Sequence, residues 1–249
     1  MLNISREKME KFSNTYSVRS LEISPNYRLQ REYAGFYFQE IFAEFCASKK
    51  MAGYDMARMG LTWLISDAEI SYSPNEMPFW REKVGLEVEA VEITPLFFNV
   101  AFRMRSSGLN VANGKYRTLI ADAKTHKPKK FTDLIDRFPN ISAQKTDFEK
   151  FEISGEKIGE VLQKVRLPDL DFNRHLNNAR YLPRAVESMP ENVREGKHLV
   201  LSRLKFIKEA RLGDEILSET FTKDNSEFFH KLSRKSDGTT ICIAKTIWQ

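Results

Sequence analysis

The chain has 249 residues, enough to bury one large core or two small ones. Its 41% apolar and 29% charged residues are ordinary for a globular protein. No run approaches the ~20 apolar residues a membrane-spanning helix needs, so no membrane partner is expected. The net charge of +5 admits an acidic partner. Nucleic acid is not expected, because the basic residues are scattered and match no recognition motif. Phenylalanine is heavily used, at 18 residues, which points to a ring-rich core or pocket. Cys46 and Cys242 give neither a disulfide framework nor a metal spacing and read as small buried hydrophobes. Residues 1–11 are charged with no apolar h-region, unlike a secretory signal, and too short and acidic for a transit peptide. The expected location is the cytoplasm.

Residues 1–15 read as a polar arm, and 17–23 alternates well enough for a strand. Pro25-Asn26 breaks it. A helix is predicted over 31–51, with Phe38, Ile41, Phe42 and Phe45 at i, i+3, i+4 and i+7 on one face. Phe36 and Tyr37 widen that face, so the helix must be wrapped, and a curved sheet would wrap it. Strands follow at 61–72, 82–93, 97–106 and 115–122, broken by Pro74, Pro78, Pro95 and Ser107-Gly108. Residues 124–148 are basic and then mixed, and read as a connector.

The second half repeats the order. A strand near 161–167 leads to Asp171-Phe172-Asn173-Arg174-His175-Leu176-Asn177-Asn178, and a helix is predicted over 178–189. Strands follow at 198–209, 215–223, 228–234 and 239–248, with Asp237-Gly238 as the last hairpin turn. Strand, helix and four-strand meander therefore occur twice.

The stretch from Asp171 packs a carboxylate, three carboxamides and an imidazole just before a helix. A carboxylate can hold an imidazole or activate water, an imidazole moves protons near neutral pH, and a carboxamide can donate to an oxyanion. Asp171, Asn173 and His175 lie two apart, so in an extended segment they share a side. Asn177 or Asn178 can cap the helix. His126, His198 and His230 fit no cluster and read as structural or exposed. No Gly-rich phosphate loop, G-x-S-x-G elbow or His-Cys metal spacing is present.

The segment resembles the D-x-N-x-H-x-N-N-x-x-Y motif of the acyl-acyl-carrier-protein thioesterases, with Tyr181 at its end. Glu187-Ser188-Met189-Pro190, Leu204-Lys205-Phe206-Ile207-Lys208-Glu209-Ala210 and Gly213-Asp214 extend the likeness. In the first half, the segment from Tyr16 to Ile23, Trp63 and Pro78-Phe79-Trp80 resemble further landmarks of that family.

The resemblance implies an α+β, tandem hot-dog fold. Its units would be 1–130, holding the acyl tail, and 151–249, holding the chemistry, with 131–150 as connector. It implies hydrolysis of fatty acyl-carrier thioesters by Asp171, Asn173, His175 and Glu209, without cofactor or metal. Glu209 would activate water and His175 share or relay the proton. Asp171 would orient His175 or itself attack, and Asn173, with N–H groups at the start of the second helix, would hold the thioester or its oxyanion. The acyl carrier protein is the expected partner, with Lys127, Lys129 and Lys130 in a basic docking patch, and a homodimer is left open. Asn177, Asn178, Trp63 and Met59 are candidates for substrate contact. The residue after Glu209 is Ala210 where the family has cysteine, which removes a thiol nucleophile and favours activated water. Pro183-Arg184 replaces the family's usual sequence after Tyr181, so the helix must kink there or start later. An acyl-coenzyme A thioesterase and a non-catalytic acyl-binding module are the alternatives. A hot-dog dehydratase is disfavoured because the carboxylates are not helix-borne.

Overall fold

The structure, a computed structural model, describes residues 10–130, 132–138 and 145–249. The first half contains β1 (Lys11–Ser17), α1 (Ala34–Ser48), α2 (Gly53–Arg58), β2 (Leu61–Tyr72), β3 (Lys83–Ile93), β4 (Phe98–Ser106) and β5 (Leu109–Asp122). A short β6 (Pro128–Lys129) folds back on β5. The second half contains β7 (Glu156–Lys164), α3 (Tyr181–Val186), α4 (Glu191–Glu195), β8 (Leu199–Phe206), β9 (Glu215–Thr222), β10 (Glu227–Arg234) and β11 (Thr240–Trp248). Among the described residues no helix is long and apolar enough to cross a membrane.

The strands form one antiparallel sheet in the order β1-β3-β4-β5-β2-β8-β11-β10-β9-β7. The second half of that order mirrors the first, which gives the two hot-dog units a pseudo-twofold at the β2–β8 seam. There Asp67 pairs with Lys205, Glu69 with Arg203 and Ser71 with Leu201. Across it the Arg203 Nε donates to Glu69 Oε2 at 2.7 Å.

The α1 segment carries no Gly after its first turn and no Pro, and its apolar stripe is the one expected. Phe38, Ile41 and Phe45 are fully enclosed, and burial of each such side chain contributes about 1.5–3 kcal/mol. Phe38 stacks on Phe102 at 5.1 Å between centroids, and Phe42 meets the Trp63 indole edge-on at 5.8 Å. Gly114 on β5 makes room for this layer: a Cβ there would lie 2.8 Å from Phe38 Cε2.

The second core is built differently. Register places His230 where the first unit has Phe102, since His230 faces Thr220 and Ala244 as Phe102 faces Val88 and Gly114. The buried His230 bonds Thr220 Oγ1 at 3.0 Å and Thr246 Oγ1 at 2.9 Å. The Thr220 hydroxyl in turn meets that of Ser188 at 2.7 Å. Burial pushes the His230 imidazole down to about 3, so it stays neutral. It is a structural histidine, and His198 is exposed.

Several element boundaries differ from the sequence reading: β5 begins at Leu109 and not at 115, β7 runs over Glu156–Lys164 rather than 161–167, and α2 was not expected. Of the polar arm, residues 1–9 lie outside the described residues, and 11–17 form β1. The strand expected at 17–23 is instead a 3-10 turn at Ser20–Glu22, where the Tyr37 hydroxyl donates to the buried Glu22 carboxylate at 2.6 Å and Arg19 pairs with it. The helix expected at 178–189 is a 3-10 turn at Asn178–Arg180 followed by α3, which ends at Val186, and α4 is a separate helix beyond Pro190. Pro183 sits in the first turn of α3, where its missing N–H costs least. The start is later than predicted, as a proline there requires. In the connector, a 3-10 segment at Thr132–Arg137 is seen, while 131 and 139–144 lie outside the described residues.

Candidate active site

The loop before α3 is closed by its own backbone. Leu170 and Leu176 bridge across it, the Asp171 N–H donates to the His175 carbonyl at 2.8 Å, and Arg174 takes a left-handed φ of 62° at the bend. The Asp171 Oδ1 accepts from the N–H of Asn173 at 2.8 Å and of His175 at 3.1 Å. Its carboxylate therefore reaches His175 through the backbone amide rather than through the ring. Buried Leu176 anchors the loop's end, and its N–H donates to the Ala210 carbonyl at 2.8 Å. That bond and the bridge between His175 and Arg211 bring Glu209, just past β8, beside the loop.

Asp171, Asn173, His175, Asn178, Glu209 and Trp63 line a single cavity of about 260 Å³. A wider groove of about 740 Å³ lies next to it and shares Leu64, His126, Asn173 and His175. Cationic Lys124, Arg174 and Arg211 and apolar Leu167 and Leu212 border that groove. The narrower cavity is mixed, with Trp63 and Phe206 beside the polar set. The Trp63 indole N–H is held by the Met51 carbonyl at 2.8 Å, which fixes its ring as a wall.

His175 is half-buried, and burial pulls its imidazole below the usual range against the opposing pull of Glu209 and Asp171. Near neutral pH it can accept a proton. Burial works to raise the Glu209 carboxyl, but bonds from its own backbone N–H and Arg211, with the two neighbouring imidazoles, hold it low. The Arg211 Nη2 donates to Glu209 Oε1 at 3.3 Å. An ionised carboxylate and a neutral imidazole on one cavity wall can activate a water.

The other candidates divide. Asn178 lines the cavity, whereas the Asn177 Oδ1 accepts from the Ala179 N–H at 2.9 Å and so caps the helix start. The Gln39 Oε1 takes the same N–H at 3.2 Å, so it is not open to an oxyanion. Met59 is exposed just past α2. Lys127, Lys129 and Lys130 lie exposed along the turn into β6, with Lys129 Nζ 4.0 Å from Asp122. Cys46 and Cys242 are buried and burial pushes both thiols up, so neither is a nucleophile.

One residue of the site was not expected. His126, read from the sequence as structural or exposed, has its Nδ1 3.8 Å from Glu209 Oε1 and its ring edge-on to His175 at 5.6 Å. It arrives on the turn after β5, far from Asp171 in the chain, and no local spacing could have revealed it.

Three comparisons bear on this site. The family model described as the acyl-ACP thioesterase C-terminal domain matches residues 155–249. A chloroplastic acyl-acyl-carrier-protein hydrolase of Cuphea viscosissima is 22% identical over 96% of this chain and 62% of its own length. A chloroplastic dodecanoyl-acyl-carrier-protein hydrolase of Cinnamomum camphora is 19% identical over 96% of this chain. The chain thus spans about three-fifths of the length of the first of these. Among solved structures, an acyl-ACP thioesterase from Bacteroides thetaiotaomicron matches with a TM-score of 0.82 at 18% identity, covering 96% of this chain and 98% of that one. The 12:0-ACP thioesterase of Umbellularia californica matches with a TM-score of 0.83 at 18% identity, covering 96% and 97%. At that identity the structures speak for the fold alone, the tandem hot-dog. Residues 155–249, which carry the motif from Asp171, thus match the C-terminal domain of the acyl-ACP thioesterases, and the chain as a whole is similar to those enzymes.

Proposed function

We propose that this chain, similar to the acyl-acyl-carrier-protein thioesterases, hydrolyses fatty acyl thioesters of acyl carrier protein to free fatty acid and carrier thiol. The observation that carries the reading is the meeting of Asp171, Asn173, His175 and Glu209 on one cavity, within the segment that matches the family's C-terminal domain. We divide the chain into a unit at 1–130, a connector at 131–150 and a catalytic unit at 151–249. The cavity draws Trp63 from the first unit, so both units furnish one site, and a homodimer would leave it complete in each copy.

In this reading a water attacks the thioester carbonyl carbon while Glu209 takes its proton. The carbonyl oxygen becomes an oxyanion, and the Asn173 carboxamide donates to it; one such donor stabilises the transition state by ~3 to 4 kcal/mol. His175 receives the proton from Glu209 and passes it to sulfur as the C–S bond breaks. Asp171 organises the loop through the two backbone N–H bonds that its Oδ1 accepts, and its negative charge favours the protonated His175 formed in the relay. The groove bordered by Lys124, Arg174 and Arg211 offers the approach for a phosphate-bearing thiol arm and an acidic carrier.

The test is a panel of acyl-carrier and acyl-coenzyme A thioesters of matched chain length, with thiol release followed and the acids identified by mass. Faster turnover of the carrier thioesters is the expected result. Preference for coenzyme A would move the substrate class, and binding without thiol release would replace the enzyme by a binding module.

A further inference from the structure

We propose that His126 is a positioning residue for Glu209, supplied to the second unit's site by the first. The inference rests on the hydrolase reading above and concerns how its base is held.

Three observations carry it. The imidazole lies at ion-pair distance from one carboxylate oxygen, 3.8 Å from Nδ1 to Oε1, and that oxygen also accepts from Arg211. Oε1 thus faces both groups, the imidazole through charge across that gap and Arg211 through a hydrogen bond. Second, the turn that presents His126 is tightly built. The Asp122 Oδ1 accepts from the Lys124 N–H, the Thr125 N–H and the Thr125 hydroxyl, and the His126 N–H donates to the Asp122 carbonyl at 2.9 Å. The Asp122 N–H donates back to the Lys127 carbonyl at 3.0 Å, and His126 itself holds a left-handed φ of 54°. A strained, non-glycine backbone fixed by this many bonds delivers a side chain to one place. Third, His126 lines both the 260 Å³ cavity and the 740 Å³ groove, at their junction.

Other charges face the same space. Lys124 comes from its own turn, and Arg174, Asp171 and His175 from the loop before α3. Lys208 and Arg211 flank Glu209, and Asp122 closes the turn. The carboxylate thus sits among basic side chains. The His126 imidazole favours ionised Glu209 and so extends its action as a base to lower pH.

The experiment uses His126→Gln and His126→Ala with kcat/KM measured across pH on an acyl-carrier thioester. The acid limb is expected to rise by about half a pH unit in both variants, as loss of a partly exposed ion pair implies. Glutamine, which keeps a polar group of similar reach beside Oε1, is expected to recover most of the plateau rate that alanine loses. A uniform fall at every pH with an unmoved limb would reduce His126 to packing and overturn the proposal. A second readout needs no turnover: carbon-13 NMR of the Glu209 carboxyl. Its midpoint is expected to rise in both variants, and an unmoved midpoint sinks the proposal even if the wild type hydrolyses no thioester.

Discussion

The loop from Ile23 to Leu29 at the head of the first unit and the loop from Leu170 to Leu176 at the head of the second have one backbone and two fates. In each, an end-to-end bridge closes the turn, the second residue's N–H reaches the carbonyl four residues on, and a non-glycine residue bends left-handed: Tyr27 in one, Arg174 in the other. Each is docked by its final leucine, Leu29 to the Pro78 carbonyl and Leu176 to that of Ala210. What differs is the side chains. Ser24, Asn26, Arg28 and Met77 stand where Asp171, Asn173, His175 and Glu209 stand. Arg28 is committed to structure, donating to the Met77 carbonyl at 2.8 Å and pairing with Glu76. The cores differ in the same sense, rings under the first helix and a hydroxyl–imidazole network under the second. Backbone geometry is common to both units, and the proposed chemistry rests on the choice of four side chains.

The comparison is broken most directly at His175. His175→Ala and Asp171→Asn are each expected to lower kcat/KM by about 100-fold or more. Thermal melts should stay near wild type, because asparagine keeps the Oδ1 acceptor that closes the loop. Retention of wild-type turnover by either would make the two loops equivalent. Next is the core. His230→Phe copies the first unit's Phe102 but removes one hydrogen-bond partner each from the buried hydroxyls of Thr220 and Thr246, which keep Ser188 and Trp248, with an expected loss of about 1–3 kcal/mol at pH 7 by denaturant titration. The wild type should also lose stability as pH falls from 6.5 towards about 3, where the unfolded chain binds a proton that native His230 refuses. The slope reaches about 1.4 kcal/mol per unit, and the variant should lack that component.

Smaller effects sharpen the contrast. Arg28→Ala should leave kcat/KM within about twofold and cost about 1 kcal/mol of stability, the inverse of His175→Ala. Smallest is the next turn, where Arg81 at φ 67° matches Gly213 at φ 88°. Gly213→Ala should cost about 1 kcal/mol and Arg81→Gly cost little or even stabilise, as read by melting temperature.

Much of this was legible before any coordinates. The strands over 61–72, 82–93 and 215–223 were plain because one face of each is buried, which imposes alternation. The strand Lys11–Ser17 hid because it is a sheet edge with mostly exposed side chains, so no alternation was imposed on it. The turn at Ser20–Glu22 mimicked a strand because the bond that bends it comes from Tyr37, remote in sequence. In the site, the loop from Asp171 was legible because its groups are consecutive, and Glu209 through family likeness. His126 was not, since only the sheet seam brings the first unit's turn to the second unit's loop.

The seam itself has a consequence for assay design. Halves that met as separate chains would come apart on dilution, and their joint activity would fall with them. Here the connector makes their encounter intramolecular, at an effective concentration that dilution does not change. Specific activity should therefore stay constant down to the lowest protein concentration at which product can be detected.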